Sequence, residues 1–265
     1  MAVALRGGSL FARTFLLREL VRRDFRGRYA GSLLGFAWSF VQPLWQLVLF
    51  SFVFSTVLRV SPVGERTDRF WVFLFGGLLP WLAVQEGVLR GATAVTDNAN
   101  LVKKLRFPAE VLVVSAVLGA LLHEAIAAAV FLVVLASIGE LAPAGLPWLL
   151  VALPLQLALT CGLGFLLAGI NVFFRDAAQL LGMVLTGWFY LTPIVFPESM
   201  VPARLHALVV ANPLTGLVKL YRAALIGGDP PGGAALAVLA TSAVGLLGVG
   251  LWVFRRLQPG FVDEI

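Results

Sequence analysis

The chain has 265 residues, 60% of them hydrophobic and only 13% charged, with a formal net charge of +6 and a mean hydropathy of +0.94. A soluble domain carries about 25% charged residues, so a water-soluble enzyme or binding module is excluded. The basic surplus does not point to nucleic acid: Arg6, Arg13, Arg18, Arg22, Arg23, Arg26 and Arg28 gather ahead of the first apolar run, the pattern of charge facing lipid headgroups.

Residues 10–28 read as an amphipathic helix. Leu10, Leu17, Val21 and Phe25 share one face, flanked by Leu16 and Leu20, with Glu19, Arg22, Arg23 and Arg26 opposite. Such a helix lies in the membrane interface, either as a basic anchor or as a surface that also touches a cytoplasmic partner. A basic region of this length with no cleavable apolar core after it does not read as a secretory signal.

Six long apolar stretches follow, near 33–58, 70–92, 108–138, 147–171, 178–196 and 233–254. A bilayer core about 30 Å thick needs roughly 20 apolar residues of helix. Backbone polar groups in lipid must pair internally, and the runs are too long and continuous for barrel strands. The fold class is therefore an all-α polytopic membrane protein. It has six transmembrane helices, an N-terminal interface helix and re-entrant outer helices before the last span. One unit fills 1–265: interface helix 1–30, spans one to five in 31–196, outer segment 197–230, span six in 231–254 and a tail at 255–265. Threading six spans from an inside N-terminus places fourteen of the twenty Lys and Arg residues in the cytoplasm and six outside. That asymmetry predicts both termini inside.

Within the first span Gln42 and Gln46 need partners, an interhelical hydrogen bond before a wet cavity, and Pro43 predicts a kink or break. In the second, Pro80 and the pair Gln85-Glu86 precede a loop at 96–107, where an Asp97/Asn98 cap opens a short helix. In the third span His123 and Glu124 read as a local hydrogen-bonded pair before a proton relay. Cys161, the sole cysteine, reads as a small packing residue and permits no intrachain disulfide. Small-residue spacings occur at Gly27/Gly31/Gly35 and Gly87/Gly91. The segment 197–230 is apolar but cut by Pro197, Pro202 and Pro213 into pieces too short to cross. It predicts two short helices that dip into the outer leaflet, with Asn212 capping the second. The sequence has no phosphate-binding loop, HExxH or GxSxG motif, and its two histidines, His123 and His206, lie in different segments. The energy source is expected on a partner.

Four motifs in order carry a resemblance. Arg18, Arg22, Arg23, Asp24, Arg26 and Arg28 lead into Tyr29, Ser32, Leu34, Gly35, Trp38 and Pro43; then come 100–108, 171–176, and Thr192-Pro193-Ile194 with Asn212-Pro213. The chain resembles the permease subunit of ABC-2 type exporters, in the branch for O-antigen, capsule or teichoic acid. The resemblance implies a homodimer around a central pore in the cytoplasmic (inner) membrane, with two copies of an ABC ATPase subunit below it. ATP and Mg would be bound by that ATPase, with no cofactor or metal in this chain, and no nucleic-acid partner. The implied coupling helix holds Asn100, Leu101, Val102, Lys103, Lys104, Leu105, Arg106 and Phe107; Arg22, Arg23, Arg26 and Arg28 mark the interface helix. Pore or gate candidates are Trp38, Gln42, Pro43, Tyr190, Pro193 and Pro213. The implied cargo is an undecaprenyl-linked glycan. An ABC-2 permease for a drug or lipid is the alternative, and less so a membrane enzyme acting on a lipid-linked sugar.

Overall fold

The computed structural model describes residues 10–29, 37–59, 62, 64–104 and 108–265. Expectations for 30–36 and for Leu105, Arg106 and Phe107 fall outside these, as do those for the side chains of Arg26, Arg28, Gln42 and Lys104. Helix α1 is Leu10–Tyr29 and α2 is Trp38–Phe50, continued by a π-helical stretch, Ser51–Val57. Then come α3 (Phe70–Asp97), α4 (Ala99–Lys104), α5 (Glu110–Ser137), α6 (Leu149–Phe173) and α7 (Ala177–Leu191). The chain closes with α8 (His206–Ala211), α9 (Pro213–Ile226), α10 (Gly233–Leu257) and α11 (Phe261–Glu264). The described residues contain no strand.

Among the described residues, four helices are long and apolar enough to cross a bilayer alone: α3, α5, α6 with its 3-10 lead from Pro143, and α10. The expected first span begins in residues outside the described ones and is seen as α2 with its π-helical continuation, Trp38–Val57; the fifth is shorter than expected. Helix α7 has 15 residues, about 22 Å at 1.5 Å per residue, because the chain leaves the helix at Leu191 rather than at 196. Pro43 sits inside unbroken α2; the irregularity comes later, where Leu58 N donates to Val53 O across a π turn at 2.8 Å. Helix α3 runs five residues past its expected limit of 92, to Asp97, and Arg90 lies one turn beyond Glu86 within it.

Helix α3 is the centre. It packs against α5, α6, α7 and α9, and most of its length is buried. Around it lies the larger apolar cluster, including Phe73, Phe75, Leu79, Phe131, Leu159, Leu217 and Tyr221. A second cluster at the end bearing α1 joins Leu20, Val95, Leu112, Phe165, Phe254 and Phe261. Close approach depends on glycine. Gly87 and Gly91 bring α3 against Thr160 and Gly164 of α6, as the spacing predicted, since a Cβ on Gly87 would lie 2.6 Å from Thr160 Cγ2. On the other side of α6, a Cβ on Gly250 would collide with the Gly162 carbonyl, and one on Gly162 would lie 2.5 Å from the Leu246 carbonyl carbon. Backbone cannot retreat as a side-chain tip can, so Gly250→Val is expected to separate α6 from α10. Overpacking of this kind costs about 1–3 kcal/mol or more; thermal unfolding in detergent should show a clear fall in midpoint.

Candidate functional site

The α1 end is a platform of charged groups over the second cluster. Helix α1 turns Leu20 inward, with Leu16 and Leu17 half-buried beside it. Among the described side chains of α1, Leu20 is the buried one, on the side where α1 packs against α5. Arg23 Nη2 donates to Asn98 Oδ1 at 2.9 Å, and Asn98 Nδ2 donates to the Ala94 carbonyl at 2.9 Å. The Asn98 side chain therefore closes α3 and ties it to α1. It opens α4 only through its main-chain carbonyl, which accepts from Leu101 N at 2.9 Å. In α4, Leu101 and Val102 are half-buried against the chain's own cluster, near α11 and its buried Phe261, while Asn100 and Lys103 face solvent. Leu101 and Val102 thus give part of their apolar area to the chain's own cluster, which removes it from water. Glu19 pairs with Arg22 at 3.9 Å, and Glu110 pairs with Arg255 of α10 at 3.5 Å. A cavity of about 280 Å3 lies inside this platform, lined by Leu20, Arg23, Arg90, Asp97 and Ser115 among others.

Arg90 also lines a larger cavity of about 550 Å3 between α2, α3 and α5. Its polar walls are Gln46, Gln85, Glu86, Arg90, His123 and Glu124; Pro43 and Trp45 of α2 close one side. His123 and Glu124 do not pair with each other. Glu86 lies between Arg90 Nη1 at 3.4 Å and His123 Nδ1 at 3.2 Å. Glu124 Oε2 accepts from Gln156 Nε2 at 2.7 Å, and Gln156 Oε1 accepts from Tyr221 OH at 2.5 Å. Glu86, His123, Glu124 and Gln156 lie inside long apolar helices, where an ionised side chain costs about 2.5–3.5 kcal/mol on insertion scales. The network therefore links α5 and α6 to α9 at a depth where polar side chains are not placed idly.

At the opposite end α8 and α9 form a hairpin bent by 85°. Pro213 occupies the first turn of α9, Asn212 Oδ1 accepts from Leu214 N at 3.0 Å, and Gly227, at φ +70, ends the helix. Asn212 does more than cap: its Oδ1 accepts from Trp188 Nε1 and its Nδ2 donates to Thr192 Oγ1, both at 2.9 Å, which fastens the hairpin to α7. Arg222 is buried. Its guanidinium lies 3.5 Å from the centre of the Phe73 ring and donates to Phe73 O at 3.2 Å, Pro193 O at 2.8 Å and Ile194 O at 2.9 Å. Lys219 pairs with Glu198, Arg69 with Glu140 at 3.4 Å, and Arg66 donates to Gly227 O at 3.2 Å. Burial pushes the Glu65 carboxyl above its ordinary range, against the opposing pull of Arg222 and Lys219.

The pore and gate candidates therefore separate. Pro43 belongs to the cleft between α2, α3 and α5, while Tyr190 and Pro213 line an apolar cavity of about 650 Å3 between α7 and α8, with Trp188, Phe196 and Met200. Pro193 contributes a carbonyl to the Arg222 seat, and Trp38 stands exposed at the start of α2. Sequence reasoning counted Arg222 only as outer charge and gave Gln156 and Tyr221 no role. The signal for Arg222 was present: an arginine within the apolar run 214–226 must find acceptors inside the protein.

Comparison with known proteins agrees with this architecture. The ABC-2 type transporter family matches residues 16–226. The chain is 32% identical over 256 residues to the O-antigen export system permease protein RfbA of Myxococcus xanthus, covering 94% of this chain and 95% of the relative. It is 28% identical over 252 residues to RfbA of Klebsiella pneumoniae, covering 94% of each. Against the polysialic acid transport protein KpsM of Escherichia coli it is 25% identical over 250 residues, covering 94% and 95%.

Proposed function

The chain belongs to the ABC-2 type transporter family, and from that premise we propose that it is the transmembrane permease of an exporter moving lipid-linked polysaccharide of the O-antigen or capsule type. The observation that carries this reading is likeness along nearly the whole length to permeases named for O-antigen export and polysialic acid transport. Those names also favour a glycan over a drug or a simple lipid, and a permease over an enzyme. The chain forms one transmembrane unit, assembles as a homodimer in the cytoplasmic membrane, and binds two ATPase subunits that hold ATP and Mg. The platform of α1, α4 and α11 faces those subunits; residues 99–107 are the coupling element. The α8–α9 hairpin covers the outer exit. An undecaprenyl-linked glycan is the cargo, and closure of the ATPases parts the dimer. The deciding experiment is deletion and complementation: loss of surface polysaccharide, with lipid-linked polymer accumulating inside, is expected. A strain that keeps its surface polymer overturns the reading.

The same reading fixes sidedness. In a Cys161→Ala background, Asp68→Cys is expected to react with an impermeant maleimide from outside intact cells. Asn100→Cys should react only after the membrane is opened. Both positions are exposed in the structure. Labelling of Asn100→Cys from outside would invert the topology.

A further inference from the structure

Three helices meet around the 280 Å3 cavity of the platform: α1 supplies Arg23, α3 supplies Arg90, Asp97 and Asn98, and α5 supplies Ser115. Two guanidiniums from different helices thus reach one space. Arg23 is held in place there. Its Nη2 donates to Asn98 Oδ1, and Asn98 Nδ2 donates in turn to the Ala94 carbonyl. The bond to Asn98 uses one arm of the fork; Nε and Nη1 donate to no described residue. Arg90 is paired with Glu86 at 3.4 Å, but Glu86 lines the neighbouring cleft and not this cavity. Asp97 is exposed and, among the described residues, forms an ion pair with neither arginine.

These walls select among ligands. A cation meets two guanidiniums. A sugar hydroxyl, which donates as well as accepts, finds Asn98 Oδ1 already taken by Arg23. An acyl chain finds mostly polar surface. The Ser115 hydroxyl proton is committed to Leu112 O at 2.9 Å, which leaves the arginines as the donors. A phosphoryl group fits them: its oxygens only accept, and a guanidinium fork matches two of them at once. The depth agrees. Helix α3 has 28 residues, about 42 Å of rise, the thickness of a bilayer with its headgroups. Arg90 lies about 10 Å along the axis from the Asp97 end, so the cavity falls at the level of lipid phosphates. Its volume is a little below the range of about 300–1,000 Å3 usual for whole small molecules. It therefore suits a headgroup whose apolar remainder lies outside.

We propose that this cavity binds the phosphoryl headgroup of a membrane amphiphile, with Arg23 and Arg90 as the donors and Asn98 as the residue that positions Arg23. An anionic phospholipid and a polyprenyl diphosphate share this chemistry. The site itself needs only a chain that spans the membrane. Its place in the inner leaflet, where lipid-linked cargo would enter, rests on the polysaccharide-export reading.

The test is native mass spectrometry of the permease with its ATPase in detergent, with lipids counted on the permease after the complex is dissociated in the gas phase. Undecaprenyl diphosphate, phosphatidylglycerol and diacylglycerol are titrated separately. The first step of phosphorylated-lipid binding is expected to weaken about ten-fold in Arg23→Gln, with diacylglycerol retention unchanged. Glutamine keeps an amide donor for Asn98. If that variant does not assemble, Ala116→Leu, which fills the cavity without removing a charge, should give the same fall. Arg18→Gln, exposed on the same helix, should leave the first step as it was. Preference for undecaprenyl diphosphate assigns the site to the cargo, and preference for phosphatidylglycerol assigns it to a bilayer lipid; both uphold it. Equal losses in Arg18→Gln and Arg23→Gln reveal a diffuse basic surface and overturn it. So does displacement of the lipid by inorganic phosphate alone, or undiminished binding in an assembled Arg23→Gln. The export reading fails on a different result: a deletion strain that keeps its surface polysaccharide refutes export and leaves the lipid titrations untouched.

Discussion

Arg222→Met is expected to insert in the membrane at near-normal level yet export no detectable polymer. The arginine seats the outer hairpin on the rest of the protein through three charge-assisted hydrogen bonds, to Phe73 O, Pro193 O and Ile194 O. Such bonds contribute about 1.5–3 kcal/mol each, and buried acceptors left unmade cost more. Methionine keeps length and apolar contact but satisfies none of the three carbonyls, so the expected loss exceeds about 3 kcal/mol at the hairpin. Lysine keeps the charge and three donors but not the planar fork that reaches all three carbonyls, and should retain partial export. A lesion of the same seat from the other side is available. A Cβ on Gly77 would lie 2.8 Å from Arg222 Nη2 and 3.2 Å from Val218 Cγ1. Gly77→Val should therefore reproduce the defect without removing any charge. Surface polysaccharide and protease sensitivity at 197–212 are the readouts. Normal export by Arg222→Met, with the hairpin still protected, would show that the seat does not hold it.

The parts of this architecture that the sequence foretold are those that lipid compels. Long continuous apolar runs become α3, α5, α6 and α10, since a bilayer admits few other ways of pairing the backbone. The hairpin's second helix was legible for a local reason: Asn212-Pro213 opens it and Gly227 closes it, each acting within its own turn. What was hidden depends on which helix lies opposite. Adjacent residues on a helix point about 100° apart, so His123 and Glu124 were bound to seek different partners. Only the assembled bundle reveals Glu86 and Gln156 as those partners. Which helix covers the apolar face of α1 was hidden likewise, because hydrophobicity alone cannot register that α5 lies against Leu20. The shortness of α7 escaped notice because 192–196 is as apolar as the helix before it, yet serves as the turn that offers carbonyls to Arg222.

The second large effect is expected at α4. Leu101→Asp with Val102→Asp should abolish export while the spans still assemble. Both side chains are half-buried against the cluster of Phe254 and Phe261, and a carboxylate pressed on apolar surface without a partner is strongly disfavoured. The helix should lift from the platform. The larger cluster around α3 shares no residue with this one, which is why the membrane-embedded part should survive. A coupling element must be stiffly backed by its own chain if a push from below is to reach the spans. Here the backing runs from Leu101 and Val102 through Phe261 to α10, and from Arg23 through Asn98 to the end of α3. Lys103, by contrast, faces solvent. Lys103→Ala should weaken capture of the ATPase subunit in a salt-dependent way and leave thermal stability unchanged. The double aspartate variant should retain dimer assembly, lose polymer export and uncouple ATP hydrolysis from transport. Export at the unaltered level in that variant would remove α4 from the coupling path, and a stability loss in Lys103→Ala would place its side chain inside the fold. If α4 is the coupling element proposed above, the two variants separate the side that would carry force into the membrane from the side that would meet the ATPase.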